Sequence, residues 1–334
     1  MTLVARSLLV FCALICSLIG DNLLAGEWNV GFKTIQLSDP VIDKEIEVAL
    51  WYPSEAESKA ETIGPAILNL AREAKPIAKA QGLIVISHGF TGSLLSHNDT
   101  AQYLAKQGYL VATPTHPDLP GLRSRKPELD PLVVRPRHIK LIVDQLLNHP
   151  PGNMSLRQKY VGIVGFSLGT YSALVAMGAE PDLSGLGNYC LVNAKDDLLC
   201  SPGSKQRFGM IAPHLESKSD KRIAAAVLLA PAYGPFFSEG SLKGIEASIQ
   251  LVSAEEDLEL DYQYNVQHFA KYLPNSGSIE VIKGAGHFVF IAPCPDSLKQ
   301  AVPFICKDSE SVDREAVHEK LNSDIARFFN NVLS

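Results

Sequence analysis

A serine, a run of carboxylates and a histidine stand along this chain in an order that could do nucleophilic chemistry. Ser167 sits in GFSLG at 165–169, between a short apolar run ending at Phe166 and the helix-forming segment from Leu168 to Ala176. Strand, sharp turn and helix without a spacer are the setting of a nucleophile elbow, in which the serine oxygen is presented at a sheet edge. Gly165 and Gly169 lack a Cβ, which permits the tight turn and close strand–helix packing. The competing reading is a glycine-rich turn whose serine merely caps a helix. The other residues decide between them.

A serine hydroxyl is a poor nucleophile at neutral pH, so covalent chemistry requires a base within reach and a third group that fixes the base's tautomer. With this kind of elbow the acid follows the serine and the histidine comes last. Of the nine histidines, His287 in KGAGHFVF follows a strand pattern in the required order. His268 and His318 fall in helical patterns and read as packed or solvated side chains. For the acid, SAEEDLELD at 253–261 offers Glu255, Glu256, Asp257, Glu259 and Asp261. Asp257 stands at the expected distance from its strand, whereas Glu255 and Glu256 are too near it and Asp261 suits a helix N-cap.

A tetrahedral intermediate also requires preorganised donors for its oxyanion. The amide of Leu168 opens a helix, where the dipole favours negative charge. The amide of Phe90, in HGF just after an apolar strand at 83–87, is the second candidate donor. His88 of the same stretch reads as a structural hydrogen-bonding residue and not as a second base. No CxxC pair or HExxH helix suggests zinc, and the chemistry asks for no cofactor.

These residues need a parallel sheet to bring them to one edge. Leu83–Ser87, a helix from Ala101 to Lys106 and a strand at Tyr109–Thr113 form a βαβ unit with right-handed crossover. Further strands are expected at 224–230, 247–252 and 278–282, with helices at 137–148, 262–273 and 313–333. VGFKTIQLSD and KEIEVALWYP near the start alternate as an antiparallel strand pair at the sheet edge. Residues 54 to 82 read as a polar surface connection, and 114–136, with six prolines, as an irregular loop. Residues 180 to 220 break the rhythm and read as a cap or lid. The expected class is therefore α/β, with a mostly parallel, doubly wound sheet, an antiparallel N-terminal edge and a cap insertion.

The chain has 334 residues, 46% hydrophobic and 20% charged, which is ample for a globular core and excludes a disordered class. A net charge of -6 without a basic run gives no footprint for nucleic acid. A small neutral or apolar partner is expected instead. Arg6 followed by the apolar segment Leu8–Ile19 and small residues near Ala25 reads as a signal peptide at 1–25, too short to anchor the chain, leaving one domain at 26–334 in a secreted or periplasmic protein. Cys190, Cys200, Cys294 and Cys306 would remain. Three pairings are possible; Cys190 with Cys200 and Cys294 with Cys306 each close a short local loop and are favoured.

With these residues in view the chain resembles the α/β-hydrolase superfamily over residues 27–334, and within it the exported group labelled predicted dienelactone hydrolase, related to platelet-activating-factor acetylhydrolases. The resemblance rests on LWYP at 50–53, SHGFTGS at 87–93, THPD at 115–118, GFSLG at 165–169, and GAGHFVFIAPC at 284–294 followed by FIC at 304–306. It implies a serine hydrolase of esters or lipids, with Ser167, Asp257 and His287 as triad and Phe90 and Leu168 as oxyanion donors. Alternatives are a phospholipase A2-like acetylhydrolase of short-chain phospholipids, and a non-catalytic binding protein on the same fold. Two departures stand out. The enzymes that gave the label use a cysteine where Ser167 stands, so the dienelactone substrate does not follow, and the commoner GHSxGG elbow carries Phe166 and Thr170 at its variable places.

Overall fold

The computed structural model describes residues 28–117, 126–156 and 161–333; the signal segment expected at 1–25, Asp118 of THPD and the middle of the proline-rich loop lie outside the described residues. Ten strands are described: β1 (Asn29–Asp39), β2 (Lys44–Ser54), β3 (Lys59–Ile63), β4 (Ala66–Arg72), β5 (Leu83–Ser87), β6 (Leu110–Thr115), β7 (Val161–Phe166), β8 (Ile223–Leu229), β9 (Ser248–Ala254) and β10 (Ser276–Ile282). They form one sheet in the order β10-β9-β8-β7-β5-β6-β2-β1-β4-β3. The six strands from β10 to β6 pair in parallel, while β2 runs antiparallel to both β6 and β1. This is the α/β-hydrolase architecture.

Parallel strands covered on both faces must be apolar throughout. Accordingly β5 (LIVIS) and β7 (VGIVGF) are buried at every position. The helices divide between the faces. On one side lie α2 (Pro131–Asn148) and α3 (Leu168–Met177), preceded in the chain by α1 (Asn98–Lys106), which packs on the other. Between β7 and β10 follow α4 (Leu186–Val192), α5 (Asp197–Cys200), α6 (Pro202–Ile211), α7 (Glu239–Leu242) and α8 (Val266–Tyr272). Beyond β10 come α9 (Asp296–Ala301), α10 (Pro303–Cys306) and α11 (Arg314–Leu333), the last packing beside α1. All ten residues of α3 are buried, as expected of a core helix that is apolar on every side.

Several expectations are corrected. Residues 54–82 are not only a surface connection: KAETI and AILNLAR pair as the β3–β4 hairpin, and β4 adds in parallel to β1. The β1–β2 pair therefore lies inside the sheet, with β3 at its edge. Only Ile63 of β3 is buried, so the strand shows no apolar alternation in sequence. Helix α2 starts at Pro131, six residues before the expected position. Proline is well tolerated at a first helical turn, and the Asp130 carboxylate caps the Leu132 amide at 3.0 Å; Pro136 is simply carried inside. The segment expected as a helix from Tyr262 is a turn until Val266, where α8 begins. Residues 180–220 hold three short helices, with Cys190 bonded to Cys200 across them. Cys294 is bonded to Cys306. Among the described residues no helix is long and apolar enough to cross a membrane.

Candidate active site

Ser167 occupies the junction of β7 and α3 with φ 51° and ψ −118°, a conformation that costs a non-glycine residue of order 1–3 kcal/mol. The turn is held by hydrogen bonds from the Ser167 amide to Leu229 O at 3.0 Å and from Thr170 Oγ1 to Ser167 O at 2.6 Å. Thr170 Oγ1 in turn accepts from the Ala232 amide, so this departure from the commoner elbow has a bridging role. The two elbow glycines have steric reasons. A Cβ on Gly169 would lie 1.9 Å from Ser87 O, and one on Gly165 would lie 2.7 Å from Gly169 O.

The loops that carry Asp257 and His287 interlock beyond the ends of β9 and β10. The Glu255 amide donates to Ile282 O and the Glu256 amide to Ala285 O, while Glu255 Oε2 accepts from the Gly284 amide. Asp257 then faces His287, with Oδ2 2.8 Å from Nδ1. Its other oxygen accepts from the amides of Glu259 and Leu260, both at 2.9 Å. A carboxylate only accepts, so Nδ1 carries the proton and Nε2 is the ring atom left able to take one. The acidic cluster thus divides by role: Glu255 holds the turn, Asp257 meets the histidine, and Asp261 is not a helix cap but accepts from the Tyr264 amide at 3.0 Å in the turn before α8, whose N-cap is Asn265. Phe166, the second departure, lies against the imidazole with ring centroids 5.0 Å apart.

Ser167, Leu168, Phe90 and His287 all line one cavity of about 650 Å³. Leu168 is the first residue of α3, so its amide has no intrahelical acceptor. The Phe90 amide donates to no other backbone group among the described residues. The walls are mostly apolar, with Phe166, Leu260, Phe288, Ile291 and Phe304 among them. Ser204 and Arg207 of α6 and Tyr233 contribute a polar side. The insertion that carries α6 is tied down there by Arg207, whose Nε and Nη2 meet both oxygens of Asp130 at 2.6 and 2.7 Å. Pro65 and Ala66 of the β3–β4 hairpin complete the lining, a contribution the sequence reading missed.

Also missed was a buried polar chain behind the Phe90 loop. His88 Nε2 accepts from the His116 amide at 3.1 Å, so Nδ1 is the protonated nitrogen and donates to Gly89 O at 2.6 Å. Both ring nitrogens are engaged, which suits a structural residue and not a second base. The Ser87 hydroxyl lies 3.0 Å from His116 Nε2, His116 Nδ1 lies 3.2 Å from His138 Nδ1, and His138 Nε2 lies 3.1 Å from Asp39 Oδ2. The pattern closes when His116 and His138 are neutral and each donates toward Asp39. Burial, followed by the nearby Arg135 guanidinium, pushes His88 and His116 well below the usual histidine range. Burial would raise the Asp39 carboxyl, but hydrogen bonds from His138 and Arg137 outweigh it and hold that group far below its ordinary value. Of these residues Ser87 and His88, in SHGFTGS, and His116, in THPD, stood out in the sequence; Asp39 and His138 did not.

Among the described residues no cluster of histidine, cysteine and carboxylate groups is arranged to hold a metal. No protein-family model matches the chain, and no curated protein matches it. The fold is similar to the solved structure of a ferulic acid esterase from Streptomyces cinnamoneus, with a TM-score of 0.61 at 19% sequence identity, covering 91% of this chain and 90% of that one. At that identity the likeness is one of fold.

Proposed function

We propose that the chain is a hydrolase of carboxylic esters acting through an acyl-enzyme. Ser167 Oγ attacks the ester carbonyl carbon while its proton passes to His287 Nε2. The amides of Phe90 and Leu168 take the oxyanion. Collapse breaks the bond to the alkoxy oxygen, which leaves with the proton from His287; water then repeats the sequence and releases the acid. The observation that carries this reading is the His287–Asp257 pair. Asp257 is locked by two amides and fixes the imidazole tautomer on the same cavity that Ser167 and Leu168 line. The esterase named among structures of similar fold agrees with it.

The apolar walls favour esters of small apolar acids or alcohols. A second reading, removal of short acyl chains from phospholipids, is supported by exposed apolar residues on the cavity lining, where Phe90, Leu198 and Phe304 are 58%, 42% and 69% exposed. Two disulfides are the chemistry of an oxidising compartment and support export.

The test is labelling by a fluorophosphonate together with hydrolysis of p-nitrophenyl esters of increasing acyl length and of a short-chain phospholipid. Wild-type protein should label and turn over, and Ser167→Ala should do neither. Absent labelling, or labelling that survives Ser167→Ala, would instead indicate a binding protein on a hydrolase fold.

A further inference from the structure

Arg135, on the second turn of α2, is fully buried beside the candidate site without lining its cavity. Its Nη1 donates to His88 O at 2.6 Å and its Nη2 to Gly89 O at 3.1 Å. We propose that Arg135 is a positioning residue for the oxyanion hole, gripping these two consecutive carbonyls and so turning the Phe90 amide toward Ser167. The proposal rests on the ester-hydrolysis reading.

The reason lies in one peptide plane. Gly89 C=O and Phe90 N–H belong to the same planar trans unit and point in opposite directions. A carbonyl drawn toward α2 therefore sends the amide the other way. Gly89 is packed against the elbow on that side: a Cβ there would meet Phe166 Cδ1 at 2.9 Å and Ser167 Cβ at 3.5 Å. The same loop leans on the start of α3, since a Cβ on Gly169 would lie 3.0 Å from His88 O.

Other contacts hold this plane only from within its own loop. Gly89 O also accepts from its neighbour His88 Nδ1 at 2.6 Å and from the Gly92 amide at 3.3 Å. The Phe90 ring is more than half exposed and gives no packing anchor. Arg135 is the donor that ties the plane to a long, buried helix. Its planar fork matches two adjacent acceptors, a geometry that a single ammonium does not reproduce. Charge-assisted hydrogen bonds are also stronger than neutral ones, which suits a strut that must hold the amide still while negative charge develops.

The experiment uses the full chain with Arg135→Lys and Arg135→Met, measuring kcat and KM on p-nitrophenyl butyrate, inhibition by an alkyl trifluoromethyl ketone, and thermal unfolding. The ketone is the selective probe, because its adduct with Ser167 carries an oxyanion. Arg135→Lys should lower kcat roughly tenfold to hundredfold, somewhat less than deletion of a donor. KM should stay within about twofold, and ketone affinity should fall by the same factor as kcat. Arg135→Met should lose more of both. Wild-type kcat and ketone affinity in Arg135→Lys would overturn the proposal, as would a loss confined to KM or thermal stability.

Should both variants fail to fold, 15N-phenylalanine labelling of the wild-type protein provides the answer. The Phe90 amide proton must move downfield when the ketone adduct forms, and an unmoved signal overturns the proposal. A wild-type protein that neither labels with fluorophosphonate nor hydrolyses the ester would instead sink the ester reading.

Discussion

The loop after β5, which carries Phe90, leans on α2; the loop after β10, which carries His287, leans on α1 and α11 across the sheet. Both are short, glycine-rich and placed beside Ser167, yet their supports are electrostatically unlike. Behind Phe90 the histidines are neutral and hand their protons in one direction toward Asp39. Behind His287 stands His318, whose Nδ1 faces Asp99 Oδ2 at 2.6 Å and whose Nε2 faces Val289 O at 2.7 Å. Both partners accept, so both nitrogens must donate and the ring is a buried cation. Burial lowers its pKa, but the hydrogen bond and charge of Asp99 outweigh that and leave it raised. Val289 belongs to the turn His287–Phe290 that carries the proposed base. One loop is thus held by a polar chain indifferent to mild alkali, the other by an ion pair that depends on a proton.

Breaking the base side at its first contact should have the largest effect. Asp257→Asn keeps the shape but presents an amide to His287 Nδ1, which stabilises the wrong tautomer; kcat should fall by about 10⁴. Steady-state rates on p-nitrophenyl butyrate check this, and a loss under tenfold would mean that His287 is not oriented by Asp257. That loss should exceed anything obtained at Arg135, because a misaimed donor weakens the oxyanion hole whereas a wrong tautomer removes the base.

The next prediction separates the two supports by pH. His318 has a raised folded pKa, so its contribution is full below the ordinary value of 6.5 and is lost as pH rises through the higher folded value. His88, His116 and His138 have lowered folded values, so their contribution is full above 6.5 and is lost as pH falls. Arg314 and His97 also face the Asp99–His318 pair and moderate its charge. His318→Gln should lower stability by on the order of 3 kcal/mol near neutrality, as for a broken buried pair. It should cost kcat about tenfold, because the Val289 carbonyl that holds the His287 turn loses its donor, and it should flatten the alkaline side of the unfolding profile while leaving the acid side intact. Thermal unfolding from pH 5 to 10 provides the check; an alkaline limb unchanged in His318→Gln would show that the two loops do not differ in this way.

The elements that repeat on a short period were legible. The βα alternation set the sheet, and glycine turns after strands located Ser167, His287 and the Phe90 loop. What escaped depended on distance in sequence. Nothing local couples Asp39 to His138 or Arg135 to Gly89, because a polar residue on an otherwise apolar helix reads as solvent-facing until the sheet is assembled around it. Asp99 and His318 likewise sit on helices more than two hundred residues apart. The β3–β4 hairpin was hidden for a different reason: β3 is an edge strand buried only at Ile63, so its sequence carries no apolar alternation to read. Within the acidic run at 253–261, distance from the strand singled out Asp257, which faces His287; the hold of Glu255 on the Gly284 amide depends on the neighbouring loop and was not legible.

The smallest effect on rate should come from the two disulfides, which sharpen the same contrast between holding a loop and shaping a wall. Cys294–Cys306 closes a short loop directly beyond the His287 turn, and Phe304 and Ile305 of that loop line the cavity. Cys190–Cys200 instead ties α4 to α5 in the insertion. Each closes a loop of similar length, so each double serine variant should lose about 3 kcal/mol of stability by constraint of the unfolded chain. Their kinetics should differ. His287 is held by Asp257 and by the His318 strut at Val289, neither of which needs the Cys294–Cys306 bridge, so kcat in Cys294→Ser/Cys306→Ser should change less than threefold, a shift of under about 1 kcal/mol in barrier. KM should rise for longer acyl esters as the Phe304 wall loosens, while in Cys190→Ser/Cys200→Ser it should rise less. Kinetics across p-nitrophenyl acetate, butyrate and octanoate measure this, and a large kcat loss in the first variant would show that the disulfide loop positions the base.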